Sequence, residues 1–225
     1  MLIQKWMSKD VITMESSATL YDAITLFKTR IISVLPLLKD GKLVGIVSEG
    51  DIKKASPSDA TSLDKFEITS LMARVPVATI MSKPVITIRS HCTIGEAARL
   101  MLNNEVSGLP VIDQDGQIEG IITKSDIFRC FVAFTGIAET GQVFAFRVRD
   151  EPGVIQFLTD RIRQNGGRLH SVMSSWDDGE EEKRTVFIHV FNLDTIHFDL
   201  LIEEFRSTGL TYGADLSREV RRIFN

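Results

Sequence analysis

The 225-residue chain is predicted to be α+β, with two copies of a β-α-β-β-α unit followed by a β-α-β-β-α-β segment. Three observations predict this: an internal repeat, the turn chemistry inside each copy, and a change of rhythm after residue 136. Met7-Ser8-Lys9-Asp10-Val11-Ile12-Thr13 recurs as Met81-Ser82-Lys83-Pro84-Val85-Ile86-Thr87, an offset of 74 (81 − 7). Thr19, Ala23 and Leu26 meet Thr93, Ala97 and Leu100, and Ser33, Leu35 and Pro36 meet Ser107, Leu109 and Pro110. One inserted residue later the offset is 75 (126 − 51). There Gly45-Ile46-Val47-Ser48-Glu49-Gly50-Asp51 meets Gly120-Ile121-Ile122-Thr123-Lys124-Ser125-Asp126.

Within each copy the elements follow from local chemistry. Val11-Ile12-Thr13 and residues 85–88 are short β-branched runs and read as strands. Thr19 with Asp22, and Thr93 with Glu96, have the spacing of capping boxes. The helices they open carry Leu20, Ala23, Ile24 and Phe27, or Ile94, Ala97, Ala98 and Met101, on one face. Residues 34–38 and 109–112 read as strands that turn through Asp40-Gly41 and Asp115-Gly116 into strands 43–47 and 118–122, because Asp and Gly tolerate the positive φ of a tight hairpin. Ser48 and Thr123 each stand three residues before an acid, which predicts a second capped helix. The same turns read equally as anion sites, since amides and a helix dipole converge there. A half-core this thin must pack against its copy.

Composition narrows the function. The formal charge of −4, with no lysine or arginine cluster longer than a pair, leaves no electrostatic footprint for nucleic acid. No apolar run approaches the roughly 20 residues that span a bilayer. The N-terminus carries Gln4, Lys5, Lys9 and Asp10 where a leader would be apolar. Cys92 and Cys130 lack metal-ligand or C-x-x-C spacing, so free thiols in a cytoplasmic protein are expected. His91, His170, His189 and His197 have no ligand spacing, and no phosphate-binding loop or nucleophile elbow occurs. Asp51 and Asp126 have a capping role and no nucleophile beside them, so the chain does not read as an enzyme and requires no cofactor or metal.

The expected domains are a first repeat over 1–54, a linker with a short helix over 55–78, a second repeat over 79–136 and a C-terminal domain over 141–225. Residues 55–61 are rich in Ser, Pro, Asp and Thr, and Leu63, Phe66, Ile68 and Leu71-Met72 form a short apolar segment that reads as a connecting helix. Lys53-Lys54 and Arg129 follow the two Asp turns within reach of phosphate charge. In the C-terminal domain residues 143–148 alternate into a strand, and Asp150-Glu151-Pro152-Gly153 is a turn. Val154, Phe157, Leu158 and Ile162 mark a helix stopped by Asn165-Gly166-Gly167. Strands at 169–175 and 185–191 flank the acidic run 177–182. A helix with Phe198, Leu201, Ile202 and Phe205 ends near Gly209, and 211–216 is the expected last strand.

Residues 2–134 resemble the paired CBS domains, or Bateman module. The resemblance rests on Gly-Ile-Val-Ser-x-x-Asp and Gly-Ile-Ile-Thr-x-x-Asp, on Ser33-Val34-Leu35-Pro36 and Ser107-Gly108-Leu109-Pro110, and on the repeat itself. It implies a regulatory module binding an adenine nucleotide (AMP, ADP or ATP) or S-adenosylmethionine. A hydroxyl at Thr123 or Ser48 can donate to phosphate, but an ionised Asp cannot, so Asp126 and Asp51 are expected to accept from a ribose diol. The resemblance implies sites assembled across the copies. One groups Val11, Ile12, Ile32 and Ser33 with Thr123, Ser125 and Asp126; the other groups Pro84, Val85, Val106 and Ser107 with Ser48 and Asp51. Because Gly50 replaces Ser125 in the first copy, the Thr123 turn offers the extra hydroxyl and is the favoured one.

Residues 141–216 resemble an ACT domain, on Asp150-Glu151-Pro152-Gly153 and Gly166-Gly167. That implies a homodimer and an amino acid near Asp150, Pro152, Gly153, Asn165 and Gly166. Paired CBS units before one ACT unit resemble the acetoin-utilisation B-type proteins, which implies a regulated partner protein; the charge and the apolar run lengths given above lead to the expectation of neither nucleic acid nor membrane as a partner. The alternative is a dimerisation scaffold with no ligand.

Overall fold

The computed structural model describes residues 1–56, 64–177 and 180–207, and divides the chain into two units, Met1–Cys130 and Phe131–Asn225. In the first unit the first repeat contains β1 (Met14–Glu15), α1 (Leu20–Thr29), β2 (Val34–Lys39), β3 (Lys42–Ser48) and α2 (Glu49–Ala55). A connecting helix, α3 (Lys65–Met72), precedes the second repeat: α4 (Ile94–Asn103), β4 (Gly108–Ile112), β5 (Ile118–Thr123) and α5 (Lys124–Thr135). The predicted caps form. The Thr19 hydroxyl accepts the Asp22 N–H at 3.1 Å, and the Asp22 carboxylate accepts the Thr19 N–H at 3.1 Å. Thr93 and Glu96 do the same at the start of α4.

The two hairpins show where the inserted residue went. Asp40 and Gly41 both hold positive φ, 52° and 74°, and close a two-residue turn. In the second copy only Gly116 is left-handed, and the Asp113 carboxylate collects the N–H groups of Asp115 and Gln117. The longer loop is thus held by a side chain.

The first strand falls later than the β-branched run in the first copy and at the last residue of that run in the second. Met14 and Glu15, instead of residues 11–13, pair in parallel with Leu37 and Leu38, and in the second copy Ile88 alone bridges Val111. The reason is a crossing. Ser8 exchanges both backbone hydrogen bonds with Ile121, each 2.9 Å, before the chain reaches its own repeat at Met14. Ser82 does the same with Ile46, at 2.8 and 3.2 Å. Residues between these points span from one repeat to the other and join no ladder.

Each repeat therefore completes the other's core. Ile3 is fully buried among Ile94, Ala97, Met101, Leu109 and Ile122, with Trp6 and Met7 packed beside it. Its counterpart 74 residues later (Ile3 to Val77) is fully buried among Leu20, Ala23, Leu35 and Val47 of the first repeat, with Ile80 and Met81 alongside. Burying such a side chain contributes about 1.5–3 kcal/mol. The repeated glycines now have a cause. A Cβ on Gly45 would run into the Met81 side chain, and one on Gly120 into that of Met7, so the methionine of the crossing segment seats against bare backbone.

The C-terminal unit contains β6 (Gln142–Arg149), α6 (Val154–Gln164), β7 (Arg168–Asp177), β8 (Glu180–Phe191) and α7 (Thr195–Ser207). The antiparallel sheet runs β6-β8-β7, so the third strand of the predicted β-α-β-β-α-β order lies between the first two. Phe144, Phe146, Leu158, Ile188 and Phe205 share one core, with the Phe146 and Phe205 rings edge-on at 5.0 Å. Arg161 of α6 donates to Glu204 of α7 at 2.7 Å. The predicted strand 211–216, the helix end at Gly209 and linker residues 57–61 lie outside the described residues.

Candidate functional site

Strand β3 ends at Ser48, whose extended backbone lets its hydroxyl turn back over the start of α2 and accept the Asp51 N–H at 3.2 Å. The Asp51 Oδ2 accepts the Ser48 N–H at 2.8 Å and the Ser48 hydroxyl at 2.6 Å. The cap thus uses one carboxylate oxygen. Asp51 Oδ1 has no hydrogen-bond partner among the described residues. Asp51 also lines an open cavity of about 580 Å³ to which both repeats contribute: Ser33, Ser48, Gly50 and Lys54 from the first, Ser82 and residues 104–108 from the second. Its size suits a nucleoside-sized ligand.

The Thr123 turn makes the same cap and spends the remaining oxygen. Asp126 Oδ2 accepts the Thr123 N–H at 2.7 Å and hydroxyl at 2.6 Å, while Oδ1 pairs with the Arg129 guanidinium one turn along α5. Asp126 is 3% exposed.

Among the expected site residues, Val106 and Ser107 come together with Ser48 and Asp51 around the cavity. Pro84 and Val85 are not among its lining, which takes Ser82 from the crossing segment. Ser33, grouped by resemblance with Thr123, lines this cavity too. Its carbonyl accepts the Glu49 N–H at 3.1 Å, as the Ser107 carbonyl accepts the Lys124 N–H at 3.0 Å, so each hairpin start is tied to the turn of its own repeat. Val11 is half-buried, Ile12 and Ile32 pack against the first repeat's core, and Ser125 is exposed at the start of α5. Ser82, Asn104 and Glu105 were not anticipated; the repeated Met-Ser pair was the available signal for Ser82.

In the C-terminal unit Asp150, Pro152 and Gly153 line a cavity of about 430 Å³ with Gln156 and Arg184. Arg184 pairs with Asp150 at 3.0 Å. Gly153 caps α6 at φ 88° without a side-chain bond, and the Val154 N–H donates to the Glu151 carbonyl at 3.2 Å, so the amides left for a ligand among the described residues are those of Ile155 and Gln156. Asn165 and Gly166 do not join this cavity. They close the far end of α6, where Asn165 donates to the Arg161 carbonyl at 2.9 Å, and an 11-residue helix puts about 16 Å between the two ends. His170 and His189 meet with ring centroids 5.4 Å apart. His189 is buried, its Nδ1 has no hydrogen-bond partner among the described residues, and burial, then the neighbouring His170, holds its pKa below the ordinary 6.5. Among the described residues no group of three or more His, Cys, Asp and Glu could hold a metal ion, and no helix is long and apolar enough to cross a membrane.

The CBS domain family model matches residues 3–58 and 77–133, about half the chain and both of its repeats. The chain belongs to the CBS domain family. It carries the two domains as a pair, and the crossing segment through Ser82 helps to line the cavity at Ser48. The uncharacterised protein MJ1426 of Methanocaldococcus jannaschii is 35% identical over 155 residues, which are 59% of this chain and 92% of that protein. A Vibrio cholerae protein provisionally named for acetoin utilisation (AcuB) is 26% identical in its crystal structure. It superimposes with a TM-score of 0.50 over 62% of this chain and 96% of its own. The CBS domain pair of protein MJ0100, crystallised with 5′-methylthioadenosine and S-adenosyl-L-methionine, is 30% identical over 58% of this chain and 95% of its own, at a TM-score of 0.48.

Proposed function

We propose that this CBS pair is a regulatory sensor that binds an adenosyl compound in the cavity at Ser48, with the ribose diol donating to Asp51. The observation that carries this reading is the free Asp51 Oδ1 in a cavity walled by both repeats. A carboxylate with a vacant oxygen is the acceptor a diol needs. The serine hydroxyls and strand amides around it suit the rest of a nucleoside, whose faces Val34, Ile46 and Val106 can cover. A ligand there touches both repeats, so it can favour one arrangement of the pair by its differential affinity for two states. The bound state would be read by a partner protein.

The second adenosyl site of this reading lies at Thr123, Ser125 and Asp126, with Val11, Ile12, Ile32 and Ser33. There Arg129 must release Asp126 or take the phosphate itself. Pro84 and Val85 complete the first site from the segment after Ser82. We read the C-terminal unit as an ACT-type domain that pairs side by side into a homodimer and takes the carboxylate of an amino acid on the open amides of α6 beside Arg184. Likeness to the Vibrio cholerae protein supports a link to acetoin utilisation. The reading assigns no catalysis, so ATP incubated with the protein should be recovered unchanged.

A ligand-free scaffold is the competing reading, favoured by the fact that Ser48–Asp51 and Thr123–Asp126 already satisfy one another. Calorimetric titration with adenosine, AMP, ATP and S-adenosylmethionine decides between them. Binding that weakens at least tenfold in Asp51→Ala supports the sensor. No heat from any of the four, on folded protein freed of carried-over nucleotide, supports the scaffold.

A further inference from the structure

The two serine/threonine turns share a cap but are surrounded by opposite charges. Around the Ser48 cavity stand three carboxylates, Glu49, Asp51 and Glu105, and one ammonium, Lys54. Glu49 is held by Lys53 at 2.8 Å, while Asp51 and Glu105 keep their charge toward the cavity without an ion-pair partner among the described residues. The repeat assigns the corresponding positions of the Thr123 turn. With offsets of 75 (124 − 49) and 74 (104 − 30), Glu49 corresponds to Lys124, Lys54 to Arg129, Asn104 to Arg30 and Glu105 to Ile31. By this correspondence the Thr123 turn is allotted one carboxylate, Asp126, and three cations, of which Arg129 pairs with Asp126 in the structure.

A phosphate carries about −1.5 to −2 charges and accepts only. At the Ser48 cavity it would meet a single ammonium and several carboxylates. The hydroxyls of Ser33, Ser48, Ser82 and Ser107 line the same space and serve neutral groups equally well. The position that supplies a hydroxyl in the other turn is Gly50 here, and α2 is only seven residues long. Resting on the adenosyl reading above, we propose that the Ser48 cavity selects an adenosyl ligand with no phosphate, its 5′ end neutral or cationic as in a thioether or sulfonium nucleoside. A 5′-phosphorylated nucleotide belongs to the Thr123 turn.

The test is calorimetry on the full chain with adenosine, 5′-methylthioadenosine, S-adenosylmethionine, AMP and ATP. The Ser48 cavity's share is the binding lost in Asp51→Ala. In that share adenosine and the two sulfur nucleosides are expected to bind at least tenfold tighter than AMP, and ATP weaker still. The gap should narrow between 50 and 500 mM salt, because the opposing charges are exposed and screened. The double variant Glu49→Lys with Glu105→Gln, which leaves one carboxylate and two ammonium groups at the cavity and so shifts its balance toward that of the other turn, should bring AMP level with or ahead of adenosine. AMP binding as tightly as adenosine in the wild-type share, with the double variant unchanged, overturns the charge assignment and leaves the adenosyl site standing. The absence of any Asp51-dependent binding by all five compounds overturns the site and the assignment together.

Discussion

The two units bury their apolar surface in different ways. In the C-terminal unit β6, β7, β8, α6 and α7 follow one another over residues 142–207 and close a single core on themselves. In the CBS pair each core is finished by a segment that belongs, by sequence, to the other copy: Ile3 in the second repeat and Val77 in the first. This difference explains why a cavity lies between the repeats. To bury Val77 the chain must lay Ser82 along Ile46, and that places Ser82 at the mouth of the Ser48 turn. The cavity is a consequence of how the cores are completed.

Substitutions in the two kinds of core test this contrast. The largest loss is expected from Phe205→Ala, which empties the centre of the C-terminal core at about 3–5 kcal/mol; urea unfolding should show it, with amide exchange rising in β6, β7 and β8 together. Ile3→Ala is expected to cost about 2–5 kcal/mol. Its exchange signature should fall on β4 and β5, not on the neighbouring first repeat, and protection lost in β2 and β3 instead would sink the crossing arrangement. Gly120→Ala forces a methyl against Met7 and should destabilise by about 1–3 kcal/mol. Adding Met7→Ala should restore part of that loss, a coupling that a double-mutant cycle measures.

Smaller effects separate the turns. Asp126→Ala removes a buried cap with an arginine on it and should cost about 2 kcal/mol, whereas Asp51→Ala should cost about 1 kcal/mol, both read from thermal unfolding. The smallest concerns His189. Its pKa is lowered, by burial first and by His170 next, so the folded state holds fewer protons there than the unfolded chain. The stability this gives is complete above the ordinary value of 6.5 and is lost as pH falls below it through the folded pKa. Unfolding compared at pH 7.5 and 5.5 should show a smaller decline in His189→Gln than in the wild type.

What was legible in the sequence was what neighbouring residues decide. The caps at Thr19, Ser48, Thr93 and Thr123 and the turn at Asp40-Gly41 form because partners three residues apart have little choice of geometry. The β-branched run at residues 11–13 was misleading for the opposite reason. Its propensity is real, but the backbone there is in transit between two sheets. Arg129 was visible as a cation near the Asp turn, yet its i,i+3 spacing had already matched it to Asp126. Asn165 and Gly166 are grouped with Asp150 by resemblance, although the helix read between them separates its two ends by its length.

The crossing segments also bear on how such a chain could arise. A single repeat standing alone would leave the place of Ile3 or Val77 unfilled, and its own leading residues would have nowhere to bury. Two identical copies solve this by trading those residues about a two-fold axis, as a swapped homodimer does. Duplication within one gene turns the trade into a property of one molecule and removes the demand that both halves be the same. Only then can one copy carry Glu49 and Gly50 at its turn while the other carries Lys124 and Ser125, so that two turns of one design hold unlike charges.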